Sequence, residues 1–426
     1  MTYQLRGPRS WPTALGETHD GLMQHHMHVA RGAAALAAAM GIGRFVYTPI
    51  LPLMTAQTTL TPHTAATLAT ANYVGYLAGA LAGSVWPRVA RSMVLCRVSL
   101  VALVVSLAGM PLSDTTAGWV LLRTVAGVTS ALVFVIAVNT LLEHLHGRPA
   151  HLAGWGFGGI GAGIALSAVL VLASEQWRLA WWTSAAAAAV LTAAAWTMPA
   201  APVATASTSA TRITLPHRHF GLLAVSYTLE GVGYIIAGTF LVAAVTQNAP
   251  HWLGGATWLV VGLATVPSAA LWSALSSRWS HPGLLVAALC AQAAGIAAAG
   301  VFGGVAAALI GAVLFGGTFI GVSTLSLAAA RALRYPRAVA LLTTGYSVGQ
   351  ILGPLAVSPL LHNGFRPALV VGAVVVSAAA AVAGLMRIIG GQPDRMIREP
   401  EITDVPGEFV DQGGNHRVVF VAPPHQ

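Results

Sequence analysis

The chain contains no lysine: all 21 of its basic residues are arginine, set against 12 acids. A P-loop needs a lysine to hold nucleotide phosphates, and Schiff-base chemistry needs one as nucleophile. ATP-driven pumping by this chain alone and pyridoxal-type chemistry are therefore excluded. Charge of either sign is scarce: 8% of residues are charged and 56% are hydrophobic. A soluble fold of this length cannot dress its surface with so few charges. Cysteine is limited to Cys96 and Cys290, far apart and each in an apolar run. They read as small buried hydrophobes, not as a disulfide or a metal pair. Alternating apolar and polar strands are missing, which excludes a membrane β-barrel. Residues 1–28 have no apolar core, so no cleavable signal peptide is expected and the first hydrophobic run reads as a retained helix.

What is present is a succession of apolar runs. Twelve membrane spans are expected, near 30–54, 65–87, 93–112, 115–142, 150–173, 177–198, 219–246, 252–275, 283–302, 305–330, 338–361 and 367–390. Each reaches or approaches the ~20 residues that a tilted helix needs. The fold class is all-α, with two pseudo-symmetric six-helix halves. Segments rich in arginine (Arg88, Arg91 and Arg97; Arg278; Arg331, Arg334 and Arg337) alternate with segments holding only Arg178 and Arg366. Arginine excess marks the cytoplasmic side, which predicts an inner-membrane protein with both termini inside. The pI near 10.4 is then a topology signal. Nucleic acid is not an expected partner, because the arginines sit singly at helix ends.

The domain reading is a polar N-terminus over 1–29, a six-helix bundle over 30–198, a cytoplasmic linker over 199–218, a second bundle over 219–390 and a disordered tail over 391–426. The linker is rich in Pro, Ala, Ser and Thr and has no apolar period. The tail gathers half of the acids. The halves echo each other: GWGFGGIGAGIALS on the fifth span matches TTGYSVGQILGPLAVS on the eleventh. Two matched halves are the architecture of alternating access. Gly75, Gly79 and Gly83 on the second span, and Gly159 and Gly163 on the fifth, form small-residue stripes for close helix packing. Pro49, Pro52, Pro267, Pro354 and Pro359 interrupt spans.

Three charges fall inside spans: Arg44, Arg123 and Glu230. Each costs roughly 2.5–3.5 kcal/mol near the bilayer centre on insertion scales, so each needs a reason. Arg44 lies too deep to snorkel and has Tyr47 on its face. It either grips an anion in a central cavity, forms an ion pair, or caps carbonyls beside Pro49. Glu230 is flanked by Tyr227 and Tyr234 on one stripe. Poised between desolvation, which penalises charge, and an arginine, which favours it, such a carboxylate can load and release a proton. Its alternative is a fixed salt bridge to Arg44 or Arg123. Asn72, Tyr73 and Tyr76 on the second span, and Thr343, Tyr346 and Gln350 on the eleventh, are cavity candidates that also suit interhelical hydrogen bonding. Glu143, His144 and His146, at the cytoplasmic end of the fourth span, are expected to pair with Arg88, Arg91 or Arg148. The His25–His28 cluster has no second ligand set, so no metal or other cofactor is expected.

The segments MGIGRFVYTPILPLM, ANYVGYLAGAL, LRTVAGVTSALVF, LEGVGYIIAGTFL and TTGYSVGQILGP carry a resemblance to the major facilitator superfamily, in its YbfB/YjiJ-type branch. The resemblance implies twelve helices and secondary transport. The superfamily's loop after the second span reads Gly-x-x-x-Asp-Arg-x-Gly-Arg-Arg. Gly83, Arg88 and Arg91 match it, while Pro87 replaces the Asp and Ala90 the Gly. Arg88, Arg91 and Glu143 are the implied cytoplasmic gate. Arg123 and Gly127 fit an Arg-x-x-x-Gly pattern whose arginine, in many relatives, serves proton coupling or an anionic substrate. The function expected is transport of a small organic solute, anionic or zwitterionic, with protons as coupling ion and the lipid bilayer as the medium of a monomer. Direction is open, efflux being common in similar proteins. A transporter-fold sensor or scaffold is the alternative. An intramembrane enzyme is disfavoured by the lack of HExxH and of a serine paired with a deep histidine.

Overall fold

A computed structural model describes residues 19–389, apart from 146–149, 201–216, 248, 250, 303, 334, 336 and 337. His146, Arg148, most of the linker at 199–218, the tail at 391–426 and the greater part of 1–29 lie outside the described residues, as does the side chain of His25.

Among the described residues the chain is helical and has no strand. The first span is compound. Helix α1 (His19–Leu36) runs into a π-helical stretch, Ala37–Arg44, and then α2 (Tyr47–Gln57). The second span is α3 (Pro62–Val85), followed by the short α4 (Pro87–Ala90). The first half is completed by α5 (Met93–Gly109), α6 (Thr116–His144), α7 (Ala150–Leu172) and α8 (Trp177–Ala195). The second half comprises α9 (His217–Thr246), α10 (His251–Leu275), α11 (His281–Ala297), α12 (Gly304–Ala332), α13 (Ala338–Val357) and α14 (Arg366–Ile389). Ten of these segments are long and apolar enough to cross a membrane by length and composition. The other two rods, α3 and α8, are 24 and 19 residues long. Twelve crossings result.

Local chemistry sets the ends. Thr61, Ser92 and Thr115 cap α3, α5 and α6 by accepting from the backbone N–H three residues on. Such a cap satisfies an amide that the helix leaves free. Pro62 and Pro87 occupy first-turn positions that need no N–H donor. Pro49 sits in the first turn of α2, whereas Pro52, Pro267 and Pro354 lie inside α2, α10 and α13. Pro359 opens a 3-10 turn, Ser358–Asn363. Cys96 is buried, but Cys290 is exposed on α11, which corrects the expectation for that thiol. A thiol on a bundle's outer face meets lipid, where a small apolar group has no need of burial in protein.

Glycine stripes hold the helices together. A Cβ at Gly75 would strike the Thr124 carbonyl, at Gly79 the Val128 carbonyl and at Gly83 the Val135 side chain. The second-span stripe thus seats α3 on α6. Gly159 and Gly163 press on Ala33, Ala37 and Gly41 in the same manner, seating α7 on the first span. The counterpart in the second half is Gly349 and Gly353 of α13 against Thr228, Gly231 and Val232 of α9.

The two halves repeat one another in detail. Arg178, opening α8, donates from Nε to the Pro111 carbonyl and from NH2 to Asp114. Arg366, opening α14, donates to the Gly300 and Val301 carbonyls. Each arginine ties down the end of the helix three spans earlier. The Gln57 side chain accepts from the Trp177 N–H at 3.0 Å, and Gln247 accepts from the Phe365 N–H at 2.9 Å. The pairing of first span with sixth recurs as seventh with twelfth.

Between the halves, α7 lies on α10 through small residues, with Gly154 at Ala270, Gly158 and Gly161 at Val266, and Gly262 at Ala165. Helix α3 faces α13. Four side-chain hydrogen bonds among the described residues cross between the halves: Arg44 to Gln350, Tyr73 to Thr239, Thr48 to the Gly238 carbonyl, and His63 to Ser358. They run from mid-depth to the arginine-poor end, where loops such as 58–61 and 364–365 lie. A Cβ at Gly262 would collide with the Ala165 backbone nitrogen, whereas one at Gly221 meets nothing within 4 Å. Gly262→Ala should therefore destabilise the purified protein by about 1–3 kcal/mol, the usual cost of overpacking. Gly221→Ala should leave the melting temperature unchanged or slightly raised, since alanine suits a helix better than glycine, and thermal unfolding of the two variants side by side checks this.

Candidate functional site

The site is organised by the break in the first span. Its π-helical stretch ends at Arg44, and the chain restarts as α2 at Tyr47. Across the junction the Val46 N–H bonds to the Ile42 carbonyl, while the Thr48 N–H turns to Phe45. The carbonyl of Arg44 thereby loses the amide four residues on, its usual helical partner. Arg123 of α6 replaces it. One guanidinium nitrogen, NH1, donates to the Gly43 carbonyl at 3.2 Å and the other, NH2, to the Arg44 carbonyl at 3.1 Å. The ring of Tyr47 lies 5.2 Å from that guanidinium and Trp181 5.9 Å. Asn72 donates from Nδ2 to the Arg123 carbonyl at 3.0 Å, and Tyr47 donates to the Ala65 carbonyl at 3.0 Å. Arg123, Tyr47 and Asn72 thus form a packet inside the first half. They brace the kink from behind.

Arg44 points the other way, to the boundary between the halves. It is 2% exposed. Its NH2 donates to Gln350 Oε1 at 2.5 Å, and Gln350 Nε2 donates in turn to the Tyr234 hydroxyl at 2.9 Å. The guanidinium lies 3.9 Å over the Tyr76 ring, with Tyr73 at 5.2 Å and Phe45 at 5.4 Å. No carboxylate of the described residues is ion-paired with it, and its Nε is buried without a partner. Tyr73 reaches across to Thr239 at 2.8 Å.

Glu230 is fully buried on α9. Gln292 of α11 donates from Nε2 to its Oε1 at 3.2 Å. Tyr346 lies beside both Glu230 and Tyr234. The Tyr346 ring stacks on Tyr227 at 4.3 Å and on Tyr234 at 5.4 Å. Polar side chains therefore line up from Arg44 through Gln350 to Tyr234 by hydrogen bonds, and on past the Tyr346 ring to Glu230, crossing from one half to the other. A fixed salt bridge from Glu230 to either arginine is not the arrangement adopted.

Of the residues singled out in the sequence, Arg44, Tyr73, Tyr227, Glu230, Tyr234, Tyr346 and Gln350 share this line. Arg123, Tyr47 and Asn72 support it from the first half. Two contributors escaped notice, Gln292 and Phe319, while Tyr76 joins the site as its helical spacing suggested. Gln292 was signalled by a lone amide within the alanine-rich LCAQAAGIA. Tyr76 lies one turn from Tyr73, and Phe319 stacks on Tyr234 at 5.8 Å. At the arginine-rich end, Arg91 meets Glu143 at 3.2 Å with 46% and 25% of their side chains exposed. An ion pair so open contributes little stability. Arg88 is exposed beside it, and His144 turns to the Thr140 carbonyl and the His28 ring.

The arrangement can do two things chemically. Arg44 offers a desolvated cation without an anion, and Glu230 offers a carboxyl whose Oε2 is buried and unpartnered. Comparison with known proteins places both on a transporter. No curated protein sequence matches the chain. Among solved structures it is similar to a point mutant of the nucleoside transporter NupG, at 11% identity and a TM-score of 0.65, over 85% of this chain and 100% of that one. That likeness speaks for the fold alone. Residues 36–385, covering every helix described above in whole or part, match the family described as uncharacterised MFS-type transporter YbfB, and the chain is a member of that family of major facilitator transporters.

Proposed function

We propose that the protein is a secondary active transporter that carries a small organic anion, or a zwitterion through its anionic group, together with a proton. The observation that carries this reading is the unpaired guanidinium of Arg44, sealed between the halves and joined by hydrogen bonds through Gln350 to Tyr234, one helical turn from Glu230. A buried charge without a counter-ion is costly, and a solute anion supplies one. Arg44 is the anion grip, Glu230 the proton carrier, and Gln350, Tyr234 and Tyr346 the link between them. Arg123 is a positioning residue. The arginine-rich end faces the cytoplasm and the membrane is the bacterial inner membrane, as the positive-inside rule requires. Alternating access follows from parting the four cross-half hydrogen bonds on one side and the Arg91–Glu143 region on the other.

The sense of coupling comes from Coulomb's law. A bound anion and an ionised Glu230 are two negative charges in one low-dielectric packet and repel. A bound anion and a protonated Glu230 do not. Solute and proton therefore accompany each other, and by linkage each strengthens the other's binding. Co-transport down the proton gradient, which is uptake, follows. Antiport efflux needs solute and proton to exclude one another, the opposite sign.

Three outcomes are expected. First, in a background with the exposed Cys290 replaced by alanine, cysteines at Gln57 and Asp114 should react with impermeant reagents from outside the cell. Cysteines at Ser277 and Arg331 should react only after permeabilisation, and the reverse pattern overturns the orientation. Second, a solute found by thermal-shift screening should bind more tightly as pH falls towards about 6, by at most about tenfold per unit. Glu230→Gln should flatten that dependence. It should also abolish accumulation against a gradient in proteoliposomes while sparing counterflow exchange, which need not cycle the proton. Third, Arg44→Ala should weaken binding roughly 10–100-fold, the worth of a charge-assisted hydrogen bond. Arg44→Lys should recover part of it, since lysine lacks the planar fork. Equal binding by wild type and Arg44→Ala removes arginine from the site.

A further inference from the structure

Tyrosine is rare in this chain, with eight residues in all, and its placement is uneven. Tyr47, Tyr73, Tyr76, Tyr227, Tyr234 and Tyr346 all belong to the site or its brace, and each is buried. Elsewhere the helices meet through glycine and alanine, as at Gly161 and Gly262. Tryptophan and phenylalanine rings also pack elsewhere, as Trp119 on Trp177 and Phe240 on Phe365, but the tyrosines concentrate at the site. There the rings form an ordered column. Tyr227, Tyr346, Tyr234, Phe319 and Phe315 follow one another at centroid distances of 4.3, 5.4, 5.8 and 5.7 Å, with interplanar angles from 8° to 17°. Near-parallel faces of this kind accept a further flat ring by offset stacking. Arg44 stands beside the column, its own face taken up by Tyr76 and its Nε unpartnered. A guanidinium covered on its face binds a planar anion through its edge, and a carboxylate is the group whose two oxygens fit that edge.

Together these features assign the ligand class, and we infer that the site takes a planar aromatic carboxylate, its carboxylate on the edge of Arg44 and its ring against the Tyr234–Tyr346–Phe319 faces. The inference rests on the transport reading given above and narrows it. An aliphatic acid fills the same charge but leaves the ring faces without a stacking partner. A neutral aromatic amide fills the ring faces but leaves Arg44 without its counter-ion. Discrimination must come from both terms together. The hydroxyl of Tyr234 is engaged with Gln350 and the Tyr346 ring lies beside Glu230, so ring contact by a ligand is felt next to the proton site.

The test uses the full-length purified protein at pH 7 with four probes: benzoate, indole-3-carboxylate, cyclohexanecarboxylate and benzamide. Binding is read by isothermal calorimetry and by thermal shift. The expected result is that one or both aromatic acids bind at least about tenfold more tightly than cyclohexanecarboxylate, the scale of one or two ring–ring contacts. Benzamide should bind more weakly still. Phe319→Leu should reduce the preference for aromatic over cyclohexane acid, while Arg44→Ala should weaken both acids alike. Should Phe319→Leu fail to fold, the four-probe ranking on the wild-type protein decides alone. Equal binding of cyclohexanecarboxylate overturns the ring-face assignment, equal binding of benzamide overturns the carboxylate, and failure of both aromatic acids to bind overturns the class. Proteoliposome counterflow separates this from the parent reading. Aromatic acids that bind but are never exchanged leave the ligand class standing and remove transport. Proton-coupled exchange of an aliphatic solute, lost in Arg44→Ala, leaves transport standing and removes the class.

Discussion

The structure depends on how one buried guanidinium is held without a carboxylate. Arg44 ends a π-helical stretch in the first span, and the winding there leaves its own carbonyl without a helical partner. Arg123 fills the vacancy with two hydrogen bonds to the backbone of Gly43 and Arg44. The second buried arginine thus spends its donors on the chain that carries the first. Two unpaired cations near the middle of a bilayer would otherwise be among the most expensive features a membrane helix can bear. Carbonyl ligation makes Arg123 tolerable, while stacking on Tyr76 and the bond to Gln350 hold Arg44. Neither neutralises Arg44, and that residual charge is what the site has to offer.

The repeat between the halves explains where the polar line runs. Gly41-Ile42-Gly43-Arg44 in the first span corresponds to Gly231-Val232-Gly233-Tyr234 in the seventh, each ending thirteen residues before Gln57 or Gln247. Those two glutamines make equivalent bonds to the backbone before α8 and α14. Arg44 and Tyr234 are thus symmetry mates, and the single amide of Gln350 joins them by its two ends. The glycines beside them serve the same purpose in each half. Gly41 admits Gly163 of the fifth span, and Gly231 lies against Tyr346 and Gly349 of the eleventh. One frame holds two different polar groups at matching depth.

The sequence disclosed the helices, their number and the depth of the critical charges to within a few residues, because hydropathy and length act locally. The ends of α3, α5 and α6 carry ordinary caps, and the glycine stripes of α3 and α7 pack as their spacing implies. Direction was not legible. Arg44 and Arg123 look alike as charges deep in apolar runs, yet one faces the other half and the other faces carbonyls of its own half. That difference is decided by the π-helical stretch, which no period in AAAMGIGR announces, since alanine and glycine suit either winding. Gln292 was legible as an isolated amide, and the EQWRLA and NGFRPA segments before α8 and α14 were legible as a repeat. Both become meaningful only once their partners, Glu230 and the glutamines at the ends of the first and seventh spans, are known.

Breaking the symmetry at the site is what turns a symmetric frame into a machine with a sense of direction. Were both mates tyrosine, the centre would be neutral and would bind a polar solute with no stake in charge. Were both arginine, mutual repulsion across Gln350 would force the halves apart. One arginine and one tyrosine leave a single cation at the boundary, and Glu230, one turn before Tyr234, supplies the only titratable acid near it among the described residues. Around Glu230 the other titratable groups are Tyr227 and Tyr234 on its own helix and Tyr346 from α13. These phenols remain neutral hydrogen-bonding groups at physiological pH when buried. On the proposed transport reading, the charge state of the sealed centre changes by two events, arrival of an anion at Arg44 and arrival of a proton at Glu230. Each compensates the other, so the centre that has neither and the centre that has both carry the same net charge. A carrier that must close around its cargo and reopen empty needs those two states to be of similar energy, and this pairing of one cation with one carboxyl provides it.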